Sequence, residues 1–302
     1  IYALASLGII IVYRTNFMVN FAQGTMGMFG AYIVTVFSAK MNLPLVLCIL
    51  LGIIAGIAIG FVVDFLIIRR TKHVANTGKE IITLGMMMIF LGIAPMIFGV
   101  DPMRLPRLIE NGDLTILGAN ISFNSLFNIV FGLALTVALF LILQKTKLGL
   151  AIRTTASSER TARLMGVPTK LVTLFSWVLA MILGTLAGVM IAPTTSVTTT
   201  LMDVVQVSAL IACVLGGFQT FYGPVIGAYI IAVLNNMMLY YVSSVWGQQI
   251  VYLLIILFIV FKPVGLGSMV CFPASPYLEP ARSLCMTAAR RDRGPFGAAD
   301  RR

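Results

Sequence analysis

Asn16, Asn20, Gln23, Thr25, Gln206, Ser208, Asn235 and Asn236 stand in or beside stretches of chain that are otherwise apolar, and Asp64 sits close to the edge of another. Neutral amides and hydroxyls in such places have two uses. They line a path for a polar solute, or they hydrogen-bond between helices, which in a bilayer is worth about 0.6 kcal/mol per bond. Enzyme chemistry has no comparable footing: the sequence lacks a GxxxxGK[ST] phosphate loop, a His-Glu-x-x-His pair and a Gly-x-Ser-x-Gly nucleophile turn. No Lys, Arg, Asp or Glu occupies the centre of an apolar stretch, where a proton- or sodium-coupled carrier would need one. The lone His73 falls in a basic loop and reads as solvated. Cys48, Cys213, Cys271 and Cys285 have no His or Cys neighbour at metal-ligand spacing, so they read as small core-filling thiols. The chain is therefore expected to bind no cofactor or metal itself.

The elements that carry these residues are long and apolar. Hydrophobic residues make up 59% of the 302 and charged residues 10%, too apolar for an ordinary soluble domain of this size. Apolar segments run over approximately 1–12, 24–38, 45–68, 81–99, 124–144, 171–192, 204–217, 224–242 and 249–261. The expected fold is an all-α polytopic membrane protein with about eight to nine transmembrane or re-entrant helices. Several segments are shorter than the roughly 20 residues of a straight span, so breaks are expected near Gly24 and Gly223. Residues 1–12 are expected to be the end of a longer first helix, with no cleavable leader pattern.

The net charge of +11 raises a nucleic-acid reading, but the cations lie between apolar spans and not along one polar face. They read instead as topology signals and contacts to lipid or a cytoplasmic partner. They gather at 69–80, at 145–170 and after Lys262. Placing all three regions in the cytoplasm leaves an even number of crossings between each pair. Gly52, Gly56 and Gly60 recur on one helix face and Gly184 and Gly188 repeat the device, which predicts close helix packing. Gly30-Ala31-Tyr32-Ile33 and Gly227-Ala228-Tyr229-Ile230 form a faint internal echo, a hint of duplication.

The stretch 145–170 is the longest basic one compatible with a helix. It holds Lys145, Lys147, Arg153, Arg160, Arg163 and Lys170 against the single acid Glu159. Ser157 or Ser158 is expected to cap a short helix, Glu159 to suit its positive end, Gly166 to take a left-handed turn at its close and Pro168 to prevent continuation. A solvated loop that only sets topology would have the same charge.

Gly149-Leu150-Ala151-Ile152-Arg153, then Ala162-Arg163-Leu164-Met165-Gly166-Val167, resemble the cytoplasmic coupling segment of ABC-importer permeases, in the form used by the branched-chain amino-acid permeases. Arg160-Thr161-Ala162 stands where the wider importer pattern has Glu-Ala-Ala. Asn20-Phe21-Ala22-Gln23-Gly24 with Gly30-Ala31-Tyr32 is similar to a second signature of that family, Gln23 replacing the usual histidine. Val214-Leu215-Gly216-Gly217, Tyr222-Gly223-Pro224, Gly227 and Lys262-Pro263-Val264-Gly265-Leu266 resemble two more, so the likeness covers roughly residues 1–267.

The resemblance implies an ABC-importer-type permease domain over 1–267, in a multi-pass protein of the bacterial inner membrane. It implies import of branched-chain amino acids, with ATP held by two separate cytoplasmic ATPase subunits. Further implied partners are a second homologous permease and a periplasmic or lipid-anchored binding protein. Arg153, Glu159, Ala162, Arg163 and Gly166 are the implied coupling residues, with Ala162 and Gly166 expected on one partner-facing side. Asn20, Gln23, Thr25 and Asn235 are candidates for the translocation pathway. A urea or short-amide importer of the same architecture, and an ATP-independent channel or carrier, remain open at this point. Residues 268–302 are expected to be a disordered cytoplasmic tail or an artefact of the reading frame.

Overall fold

The computed structural model describes residues 1–41, 43–71, 74–106, 113–116, 119–218, 220–242 and 246–261. His73, the Lys262–Leu266 motif, Cys271, Cys285 and the tail 268–302 lie outside the described residues.

Every apolar segment read from the sequence is a helix. In chain order these are α1 (Tyr2–Asn16), α2 (Gln23–Met41), α3 (Leu45–Val63, continued by a π-helical turn Asp64–Ile68) and α4 (Asn76–Phe98). A short antiparallel hairpin, β1 (Asp113–Ile116) and β2 (Ala119–Ser122), precedes α5 (Phe123–Lys145). Then come the polar helices α6 (Lys147–Ser157) and α7 (Glu159–Leu164), followed by α8 (Thr169–Ile191), α9 (Asp203–Gly216), α10 (Tyr222–Tyr241) and α11 (Gly247–Phe261). Among the described residues, five helices are long and apolar enough to cross a bilayer: Leu45–Ile68, Asn76–Phe98, Phe123–Lys145, Thr169–Ile191 and Tyr222–Tyr241. The chain is a multi-pass membrane protein. α9, with 14 residues, is only about 21 Å long at the α-helical rise.

α8 forms the spine. Its side chains from Trp177 to Met190 are mostly buried, and α1, α2 and α3 pack along it. The glycine stripes bring backbones together as expected. A Cβ on Gly27 would lie 2.6 Å from the Gly184 carbonyl oxygen, and one on Gly56 would lie 2.7 Å from Thr185 Oγ1. Gly60 meets Met181 in the same way. Small residues gain close van der Waals approach here, which drives helix association where no hydrophobic effect operates. By contrast α4 and α5 turn Met88, Met96, Ile129 and Val130 outward, as surfaces solvated by lipid do.

The chain between α1 and α2 does not simply cross from one helix to the next. Phe17 takes a left-handed conformation, φ 53°, which costs a bulky residue about 1–2 kcal/mol. This turn sends residues 18–22 back into the bundle, where Met18, Asn20 and Ala22 are fully buried. Irregular backbone is tolerated at such depth only when its polar groups find partners. Here they do: Val19 N donates to Glu80 Oε1 and Phe21 N to Thr83 Oγ1, both at 3.3 Å, while Ala22 N donates to Asn20 Oδ1 at 3.0 Å. The break expected near Gly24 lies just before it, at 17–22. At the second expected break, Gly216 and Gly223 face each other so closely that a Cβ on Gly216 would lie 2.1 Å from the Gly223 backbone. That contact makes the tight α9–α10 hairpin.

Candidate functional site

Two places hold most of the residues singled out from the sequence: a basic end built around α6 and α7, and an amide cluster halfway along α8.

The basic stretch is two helices rather than one. Thr146 starts α6, its hydroxyl accepting from Gly149 N at 3.2 Å. Gly149 packs onto the end of α5 with no room for a side chain, since its Cβ would come 2.1 Å from Leu143 O. Arg153 ties the same elbow by donating to Gln144 O at 3.1 Å. Ser158 ends α6 and starts α7, accepting from Thr161 N at 3.3 Å, so the expected cap is present. Glu159 occupies the first turn and pairs with Arg163 one turn on. The close is a Schellman arrangement: Gly166 N donates to Arg163 O and Val167 N to Ala162 O, with Gly166 at φ 79°. Arg163 Nε also donates to Thr169 Oγ1 at 3.1 Å, binding α7 to the first residue of α8.

The expected shared face of Ala162 and Gly166 is corrected by this geometry. Ala162 is fully buried, whereas Gly166 stands past the helix with open space around the position of a Cβ. The helix ends two residues earlier than a face shared four apart requires, and the left-handed turn points the chain elsewhere. Leu164 and Met165 face outward instead, 88% and 62% exposed. They were legible only as part of a motif. Nothing in their types separates them from the core leucines and methionines.

In the amide cluster, Asn20 and Gln23 are fully buried and joined, Asn20 Nδ2 donating to Gln23 Oε1 at 3.2 Å. Gln23 Nε2 donates to Ala180 O on α8, passing between Gly8 and Gly184. Gln206, from the first turn of α9, donates to Asn20 O at 3.2 Å. The cluster thus binds α1, α2, α8 and α9 where two of those helices begin, and Gln206, one of the polar residues noted in the apolar stretches, belongs to it. Thr25 bonds back to the residue that precedes its own helix, donating to Ala22 O at 2.9 Å. Asn235 is buried on α10 away from this cluster, its Oδ1 without a partner among the described residues. The structure therefore brings Asn20 and Gln23 together, adds Gln206, and leaves Asn235 apart.

Residues 1–260 of the chain match the family described as "Branched-chain amino acid transport system / permease component". A probable branched-chain amino acid transport permease protein LivH of Methanocaldococcus jannaschii is 27% identical over 253 residues, covering 81% of this chain and 79% of that protein. The high-affinity branched-chain amino acid transport system permease protein LivH of Salmonella typhimurium is 26% identical over 281 residues, covering 88% and 90%. The corresponding BraD protein of Pseudomonas aeruginosa is 26% identical over 282 residues, covering 88% and 91%. No solved structure matches the chain.

Proposed function

The chain belongs to the family of branched-chain amino acid transport permeases, and from that premise we propose that it is the membrane passage of an ATP-driven importer for leucine, isoleucine and valine. It hydrolyses nothing itself. ATP is held by two cytoplasmic ATPase subunits, substrate arrives on an external binding protein, and a second homologous permease completes the passage.

The observation that carries this reading is the exposed Leu164–Met165 pair. Two large apolar side chains at the tip of a charged segment gain nothing from water and gain much from a partner groove. Their support is rigid: the α5–α6 elbow at Gly149, the Schellman close at Gly166 and the Arg163–Thr169 bond fix them to both flanking spans. A push on the pair is therefore delivered to the start of α8. The spine carries it about 16 Å along its axis to Ala180, where Gln23 is bonded. We assign Asn20 and Gln23 the role of a latch on the passage: the cluster holds α1, α2, α8 and α9 together and must rearrange when those helices part. Rocking of packed helices about a rigid contact is a known repertoire for such transitions.

A photo-reactive amino acid at Leu164, introduced in the assembled complex, tests the contact. It is expected to capture an ATPase subunit on illumination, while the same group at Met96, which is 85% exposed on α4, captures lipid or nothing. Absence of any ATPase adduct from position 164 would return the segment to a solvated loop.

A further inference from the structure

Where α7 meets the ends of α1 and α3 and the starts of α4 and α8, the bundle leaves a cavity of about 420 Å³. Its charged lining is Arg69, Lys79, Arg163 and Lys170 against Asp64 and Glu159, four cations to two carboxylates. Both carboxylates are already engaged within the wall, Asp64 by Arg69 at 3.0 Å and Glu159 by Arg163. Lys79 on α4 and Lys170 on α8 make no ion pair among the described residues. The space is thus rich in donors and carries two uncompensated positive charges. A neutral aliphatic ligand would leave those charges unmet, and an ammonium would be repelled. A compact anion with several acceptor oxygens satisfies them.

We propose that this cavity binds a phosphate-bearing anion, and that the headgroup of an anionic phospholipid supplies it. The location favours the lipid. The cavity sits at the ends of membrane helices on the basic side, the form that headgroup sites between spans commonly take. Just beyond it, Phe61, Phe65 and Leu66 of α3 and its π turn are about half exposed, an apolar surface on which acyl chains can lie. One wall of the cavity is the Glu159–Arg163 pair of α7. A bound headgroup therefore ties α7 to α4 and α8, and makes the position of the coupling segment depend on lipid charge. That consequence rests on the coupling reading above; the site itself does not.

The test reads lipid retention on the purified full-length chain by native mass spectrometry, so it is independent of transport. Phosphatidylglycerol is expected to stay bound where phosphatidylcholine is lost. The double variant Lys79→Gln/Lys170→Gln should bind phosphatidylglycerol roughly thirtyfold more weakly, at about fivefold for each lysine near an anionic surface. Lys79→Arg/Lys170→Arg should retain it, which separates lost charge from lost fold. Lys145→Gln/Lys147→Gln removes as much charge outside the cavity and should leave retention unchanged. Thermal stabilisation by inorganic phosphate without any preference for phosphatidylglycerol, abolished by the same glutamine pair, would keep the anion site and move its source to solution. Equal retention of both lipids with no phosphate effect, or equal loss in the two glutamine pairs, overturns the proposal.

Discussion

Uptake of leucine should fall to background when Leu164 and Met165 are both replaced by aspartate, with the membrane bundle left intact. The two side chains are exposed in the isolated chain, so the substitution removes no internal packing. Surface changes of this kind alter stability by about half a kcal/mol or less. Against a partner groove the effect is opposite. Burying two carboxylates there without cations to meet them is prohibitive. Gly166→Val attacks the same contact through the backbone, because a β-branched residue at φ 79° pays roughly 1–2 kcal/mol and displaces the turn that aims the pair. Uptake and substrate-stimulated ATP hydrolysis, measured beside thermal unfolding of the purified chain, check this. Lost uptake with an unchanged unfolding temperature is the expected pattern. Normal uptake in the double aspartate variant would remove α7 from the coupling path.

The second large effect concerns the fold. Gly27→Ala should destabilise the bundle by about 1–3 kcal/mol or more, as overpacking does, because its Cβ would meet the Gly184 backbone, which has no rotamer to give way. Gly85→Ala on α4 is the matched control. A Cβ there has nothing within 4 Å, and alanine gains roughly 0.5–1 kcal/mol over glycine inside a helix. Opposite shifts of unfolding temperature in the two variants are expected. Equal shifts would mean that the α2–α8 approach does not hold the bundle together.

That contrast also marks what the sequence made legible. Spacing of four placed Gly52, Gly56 and Gly60 on one face, and the structure puts α2 against Gly52 and α8 against Gly56 and Gly60. Hydropathy marked the nine apolar helices among the described residues, because a long, uniformly apolar run is a signal that needs no tertiary knowledge. Local backbone chemistry was nearly as readable: a serine cap at 157 or 158, which the structure places at Ser158, and Gly166 as a left-handed turn follow from their side chains alone. Tertiary choices were not. That Ala162 turns inward while Leu164 and Met165 turn out depends on where α8 lies. Gln206 meets Asn20 across 186 residues, and no pattern along the chain announces it. The inward course of 18–22, with Met18, Asn20 and Ala22 fully buried, depends on Glu80 and Thr83 arriving from α4, which the sequence shows only as polar residues near a helix start. Coupling roles for Arg153, Glu159 and Arg163 came from a motif; the structure adds what each touches.

ATP dependence is the property that separates this account from a channel or an ion-coupled carrier of the same shape. The direct measurement is radiolabelled leucine uptake into proteoliposomes containing the chain assembled with its ATPase, permease and binding-protein partners, with ATP or a non-hydrolysable analogue on the ATPase side. Concentrative uptake is expected with ATP and the binding protein present, and none with the analogue. Accumulation that proceeds with the analogue, or that follows an imposed proton or sodium gradient, would contradict it.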